Sequence, residues 1–207
     1  MKCLVCGYLG GGFKPDGVTQ YLKGVFAGPP SGVEYVISEQ QAIRLRDAPE
    51  YSFLQGVETI PLRENHLEFK LGGSLEPLGF HVKNILSLGG SEALAGVDLV
   101  FTSQGLVYTD IPQVASLDES LIRPQYLTRG RPTDFEDSRA LVDGMQKKIL
   151  WDVVSRGSFK RILAWSERAR EDLISVCPGA EEKSSVLRPP VDLPDINSRT
   201  GGRDTVR

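Results

Sequence analysis

The residues best placed for chemistry stand where short apolar runs stop. Gly10, Gly11 and Gly12 follow the first such run. A glycine run between a strand and a helix lets backbone N–H groups approach an anionic ligand. Two specialised forms of that loop fail here. The dinucleotide pattern Gly-x-Gly-x-x-Gly finds Gly10 and Gly12 but meets Pro15 at the third glycine. The phosphate-loop pattern finds Gly12, Gly17 and Thr19, but Val18 replaces the essential lysine. A general phosphate or sugar contact and a plain tight turn both stay open for this loop. Ser103, Gln104 and Gly105 close a second apolar run, Asp118 and Glu119 a third, and Ser166 a fourth. In an open α/β sheet, ligands gather beyond the carboxyl ends of the strands, so these residues could line one cleft. The plainer readings are solvated loop carboxylates for Asp118 and Glu119 and a helix cap for Ser166.

Other reactive side chains offer less. His66 and His81 have no Cys, Asp or His at a metal-ligand spacing, and no Gly-x-Ser-x-Gly elbow is present. No metal and no cofactor is called for. Cys3 and Cys6 have Cys-x-x-Cys spacing, but residues three apart on a strand face opposite sides of its sheet. They read as small core residues. With Cys177 the count is odd, which is not a disulfide framework. Lys147, Lys148, Arg156, Lys160 and Arg161 form a basic cluster, a candidate for peripheral contact with acidic lipid or simply a solvated helix end.

These residues need elements to position them, and the chain supplies alternating strand and helix patterns. Leu4–Leu9, 33–37, 97–102, 113–117, 162–165 and 185–187 read as strands. Helical spacing appears over 18–26, 39–46 and 167–176. Another helix starts at a capping box, Thr133 and Glu136, and carries Leu141, Val142, Met145, Ile149 and Val153 on one face, with Gly157 closing it. Between 39 and 90 the pattern predicts a strand at 57–62, a hairpin partner for it at 66–71, and helical pieces at 82–88 and 92–95. The alternation gives a mainly parallel α/β sheet with helices on both faces. At 207 residues, 40% apolar and 25% charged, the chain can bury a sizeable core and is not disordered. A net charge of −3 argues against nucleic acid as the partner. No apolar run is long enough to span a membrane, and a cytoplasmic location is expected.

The stretch from Arg161 to Asp192 resembles the end of the N-terminal domain of retaining glycosyltransferases of the GT-B fold. Strand Ile162–Trp165, Ser166, a helix with the late pair Leu173-Ile174, and a strand running into Pro189-Pro190-Val191-Asp192 carry the likeness. The family's last turn is usually Asn-Gly-Val-Asp. Met1–Gly12 is similar to its opening strand and glycine loop, and 98–101 with 112–114 to its paired central strands. Where family members often have a histidine after each central strand, Ser103 and Asp118 stand. The resemblance implies a Rossmann-like domain over 1–195, the acceptor-side half of a GT-B fold. It implies a linker over 196–207 toward a C-terminal donor-binding domain. The activity implied is transfer of a hexosyl group from a nucleotide sugar to an acceptor hydroxyl, the acceptor being open. On that reading Gly10–Gly12 approach the donor phosphates and Ser103, Gln104, Gly105, Glu119 and Ser166 surround the substrate. Asp118, a carboxylate at the cleft end of a central strand, is the candidate base. This chain alone is expected to fold without transferring sugar. The rival expectation is a non-enzymatic α/β module that binds a small anion or a partner protein.

Overall fold

The computed structural model of the chain describes residues 1–7, 17–45, 48–71, 78–89, 91–117, 125–126, 144 and 147–188. In chain order the early strands are β1 (Lys2–Gly7), β2 (Glu34–Ser38), β3 (Glu58–Ile60), β4 (Arg63–Leu71) and β5 (Leu78–Gly89). They are followed by β6 (Leu99–Ser103), β7 (Leu106–Tyr108), β8 (Gln113–Leu117), β9 (Gln125–Tyr126), β10 (Phe159–Ala164) and β11 (Ser184–Val186). The helices are α1 (Gly17–Ala27), α2 (Glu39–Leu45), α3 over 147–155, and α4 (Glu167–Val176). None of these is long and apolar enough to cross a membrane, among the described residues.

Seven strands form one parallel sheet in the order β11-β10-β8-β6-β1-β2-β3. The chain runs outward from β1 to β3, returns to the other side of β1, and runs outward again through β6, β8, β10 and β11. This is a doubly wound, Rossmann-like α/β fold, as the sequence pattern predicts, with β1 inside the sheet. Crossovers between parallel strands are right-handed, so reversing the direction of travel moves the helices to the opposite face. The core follows that rule. Leu22 of α1 and Leu45 of α2 pack with Val5 and Ile37. Leu150 and Val153 of α3 and Leu173 of α4 pack with Ala115, Leu117 and Ile162. Strand register places these two groups on opposite sides. Cys6 lies beside Thr102, Thr102 beside Ala115 and Ala115 beside Ile162, while Val5 points the other way.

A second sheet, β4-β5-β7 with β9 also paired to β5, covers the rest of the Cys6 face. Leu86 of β5 and Val107 of β7 pack on Leu4, Cys6, Val36 and Val100. This sheet stands where a crossover helix would lie between β3 and β6. It corrects two expectations. Residues 82–88 are strand, not helix, and 66–71 pair with β5, not with 57–62. The pairing is antiparallel, from Arg63 opposite Gly89 to Leu71 opposite Leu78. Val82, Ile85 and Leu86 are spaced as on a helix, but a long strand partner and an apolar sheet face to cover override that local preference. The first strand is described over Lys2–Gly7, and Tyr8 and Leu9, the end expected for it, lie outside the described residues. The capped start of the helix expected from 133 lies outside the described residues, whereas its later turns are α3.

One buried side chain ties the sheets together. Gln113 of β8 accepts from Val107 N–H at 3.1 Å and donates to Val107 C=O at 2.8 Å. It thus satisfies both backbone groups of a β7 residue. Gln113→Leu keeps the volume but leaves that N–H and C=O without partners. The expected cost is about 2 kcal/mol, read from urea unfolding. A change below about 0.5 kcal/mol would mean that water replaces the amide.

Candidate functional site

The strand order reverses between β1 and β6, and the carboxyl ends of those strands meet at Gly7 and Ser103. The two residues are register partners, and Ser103 is in turn the partner of Ser116 on β8. Gly7 has φ +96°, and a Cβ built there would lie 2.4 Å from the carbonyl oxygen of Ser103. Only glycine fits this position. The glycine-rich segment predicted as the ligand loop follows this position in sequence. Gly10, Gly11 and Gly12 themselves lie outside the described residues, as do Asp118, Glu119 and residues 189–207.

Of the sequence-predicted residues, Ser103, Gln104 and Gly105 form the turn between β6 and β7 on this edge. Ser103 is fully buried, and its Oγ has no hydrogen-bond partner among the described residues. Gln104 adopts φ +58°, unusual for a residue with a side chain, and its N–H donates to the Ser116 carbonyl at 2.8 Å. Ser166 is exposed at the end of β10. Its Oγ accepts from Ala169 N–H at 3.1 Å, so it is the helix cap of α4. Beside it, Trp165 Nε1 donates to Ser116 Oγ at 2.8 Å, and the indole packs against Tyr21 of α1 with ring centroids 5.1 Å apart. Burial raises the Tyr21 phenol, and its hydrogen bond with Ser116 works against that rise. This aromatic pair bridges α1 to β10 across Ser116.

On the other side of Gly7 lies a carboxylate that the sequence reading did not single out. Glu64, at the start of β4, is only 8% exposed. Its Oε1 accepts from Ser38 Oγ at 2.7 Å, and its Oε2 accepts from Gly7 N–H at 3.0 Å and from Gln41 Nε2 at 3.1 Å. Gln41 Nε2 also donates to the Gly7 carbonyl at 3.1 Å, and Glu64 N–H donates to Gln40 Oε1 at 3.0 Å. Ser38 in turn accepts from Gln41 N–H at 3.2 Å as α2 begins. Burial pushes the Glu64 carboxyl up, and the three donors and the more distant Arg44 oppose this. The one sequence signal is Ser38-Glu39-Gln40-Gln41, a Ser-x-x-Gln helix start immediately after a strand.

Other candidates are set aside by their surroundings. Cys3 and Cys6 are buried on opposite faces of β1. Burial pushes the Cys3 thiol up to about 11 and also raises the Cys6 thiol well above its ordinary value, with Glu64 adding to the latter. Both stay protonated at neutral pH, which is the wrong state for metal or redox chemistry. No group of three metal-type side chains occurs among the described residues. Arg156 of the basic cluster is already engaged. It pairs with Asp110 at 3.0 Å and stacks on Tyr108 at 3.8 Å. A cavity of about 350 Å³ beside α2 is lined chiefly by apolar groups, Ile37, Leu45, Tyr51 and Leu54 among them, and includes no member of the Glu64 network.

No family model, curated protein or solved structure matches this chain. The functional reading therefore stands on the geometry of the switch point and on the sequence.

Proposed function

We propose that the chain is the acceptor-side, N-terminal half of a retaining glycosyltransferase that moves a hexosyl group from a nucleotide sugar to an acceptor hydroxyl. The observation that carries the proposal is the switch point itself. A parallel sheet reverses its order at a glycine-only position, and a glycine run follows in sequence. Within the stretch that resembles the GT-B family, β10, the Ser166 cap, α4 and β11 follow one another, an order that supports the reading, while residues 189–192 lie outside the described residues. On this reading Gly10–Gly12 approach the donor phosphates, Ser103–Gly105 border the substrate, and Asp118, directly after β8, is the candidate base. Gly7 N–H already serves Glu64, so a phosphate has to be met further along the loop. The same constraint falls on the rival reading of a small-anion module, which also loses the amide nearest the sheet.

Transfer requires donor and acceptor to be held in near-attack geometry, which can account for ~7–11 kcal/mol of the barrier. One wall of a cleft does not provide that. The test is an assay of the gene product, with whatever coding sequence follows Arg207, against a panel of nucleotide sugars. Gly12→Val should cut transfer by roughly 100-fold or more without unfolding the protein, because a side chain blocks backbone approach to the ligand. Unchanged turnover in that variant, or turnover by residues 1–207 alone, would overturn the reading.

A further inference from the structure

The hydrogen-bond inventory around Glu64 is lopsided. The buried donors that face the carboxylate are all used. Gly7 N–H and Ser38 O–H go to Glu64, Gln41 N–H goes to Ser38 Oγ, and Gln41 Nε2 serves both Glu64 and the Gly7 carbonyl. Acceptors are left over. Gln41, 6% exposed, has an Oε1 with no partner among the described residues. Its orientation is fixed by chemistry. Turning the amide over would set Oε1 against two acceptors, Glu64 Oε2 and Gly7 O. A carboxylate has about four acceptor positions and an amide oxygen about two, so roughly three remain open here. The charge is equally one-sided. No Lys or Arg forms an ion pair with Glu64 among the described residues, and Arg44 acts on it only from a distance.

A group that completes this arrangement brings several donors, a positive charge and no acceptor. Phosphate and carboxylate bring the wrong charge. A hydroxyl brings one donor and leaves the carboxylate uncompensated. A primary ammonium brings three N–H donors on one compact cation. We infer that Glu64 Oε1 and Gln41 Oε1, beside Gly7 at the switch point, form a subsite for the primary ammonium group of a ligand such as an amino sugar or amino alcohol. The inference goes beyond sugar transfer and does not depend on it, because it is tested by binding without any donor substrate.

The probe is ethanolamine, titrated into the isotopically labelled chain at neutral pH while the Gly7 and Gln41 side-chain amide signals are followed. Ethylene glycol, inorganic phosphate and potassium chloride at matched ionic strength are the comparisons. Ethanolamine should shift both signals saturably and the three comparisons should not. Glu64→Gln should weaken binding about tenfold or more, and Gln41→Met about fivefold. Gln41→Met decides the matter if Glu64→Gln fails to fold. Affinity should rise with pH as the Glu64 carboxyl ionises, and should be flat in Glu64→Gln. The other ionisable groups facing it are the Arg44 guanidinium and the Cys6 thiol, which burial keeps protonated. Equal shifts with ethylene glycol or potassium chloride, or unchanged affinity in both variants, would overturn the assignment. A failed transfer assay would leave it standing.

Discussion

Gly7→Ala is expected to lower the unfolding free energy of this chain by about 4 kcal/mol. Two separable effects add. A residue with a side chain at φ +96° is strained by ~1–3 kcal/mol. The new methyl would also sit 2.4 Å from the Ser103 carbonyl oxygen, well inside van der Waals contact. That oxygen belongs to backbone at the end of β6, so relief means moving β1 against its neighbour in the parallel ladder. Small-domain stabilities are only ~5–15 kcal/mol, so the loss is a large fraction of the total. Gly56→Ala separates the two effects. Gly56 has φ +85° but nothing within 4 Å of its built Cβ, so strain alone should cost about 1 kcal/mol there. Urea denaturation of both variants with an unchanged m-value checks this. Equal losses at the two positions would mean that the Gly7–Ser103 contact is easily relieved.

The sequence exposed this edge unevenly. β8 begins where its pattern predicts, at Gln113, and is strand through Leu117, because Val114, Ala115 and Leu117 give the run its strand character after the turn at Pro112. α4 is equally legible, since Ser166 is a local cap and Pro178 a local stop. Ser103–Gly105 follow from strand ends alone. β5 was hidden because Val82, Ile85 and Leu86 suit a helix as well as a strand. Only the second sheet and the apolar face beneath it decide between them. Glu64 was hidden for another reason. Its partners Gln41, Ser38 and Gly7 are 23, 26 and 57 residues away, so nothing near it in the chain distinguishes it from a solvated glutamate. Burial and long-range hydrogen bonding make it part of the site, and no local pattern encodes either.

Glu64→Leu is expected to destabilise the chain by about 4 kcal/mol at acidic pH and by less at neutral pH. Removing the carboxylate strands the Gly7 N–H and one N–H of Gln41, whereas the Ser38 hydroxyl can rotate toward another acceptor. Each buried donor left unsatisfied costs ~1–3 kcal/mol. The pH dependence follows from linkage. Burial raises the folded-state pKa of Glu64 above its ordinary value of 4.5. The folded chain therefore holds this proton more tightly than the unfolded chain. The associated stability is fully present below 4.5 and is lost as pH rises through the raised value. When protonated, Oε1 donates to Ser38 Oγ while Oε2 still accepts from Gly7 and Gln41, so the network survives without a buried charge. Above the folded pKa the wild type retains an uncompensated carboxylate, and the leucine variant loses less by comparison. Glu58 shifts the opposite way, lowered chiefly by its hydrogen bond to Lys2, but it is common to both proteins and cancels in the difference. Paired urea titrations from pH 4 to 7.5 give that difference directly. A penalty that grows with pH would show that the fold favours the charged carboxylate. Such a result would require a cationic partner already at this end of the sheet.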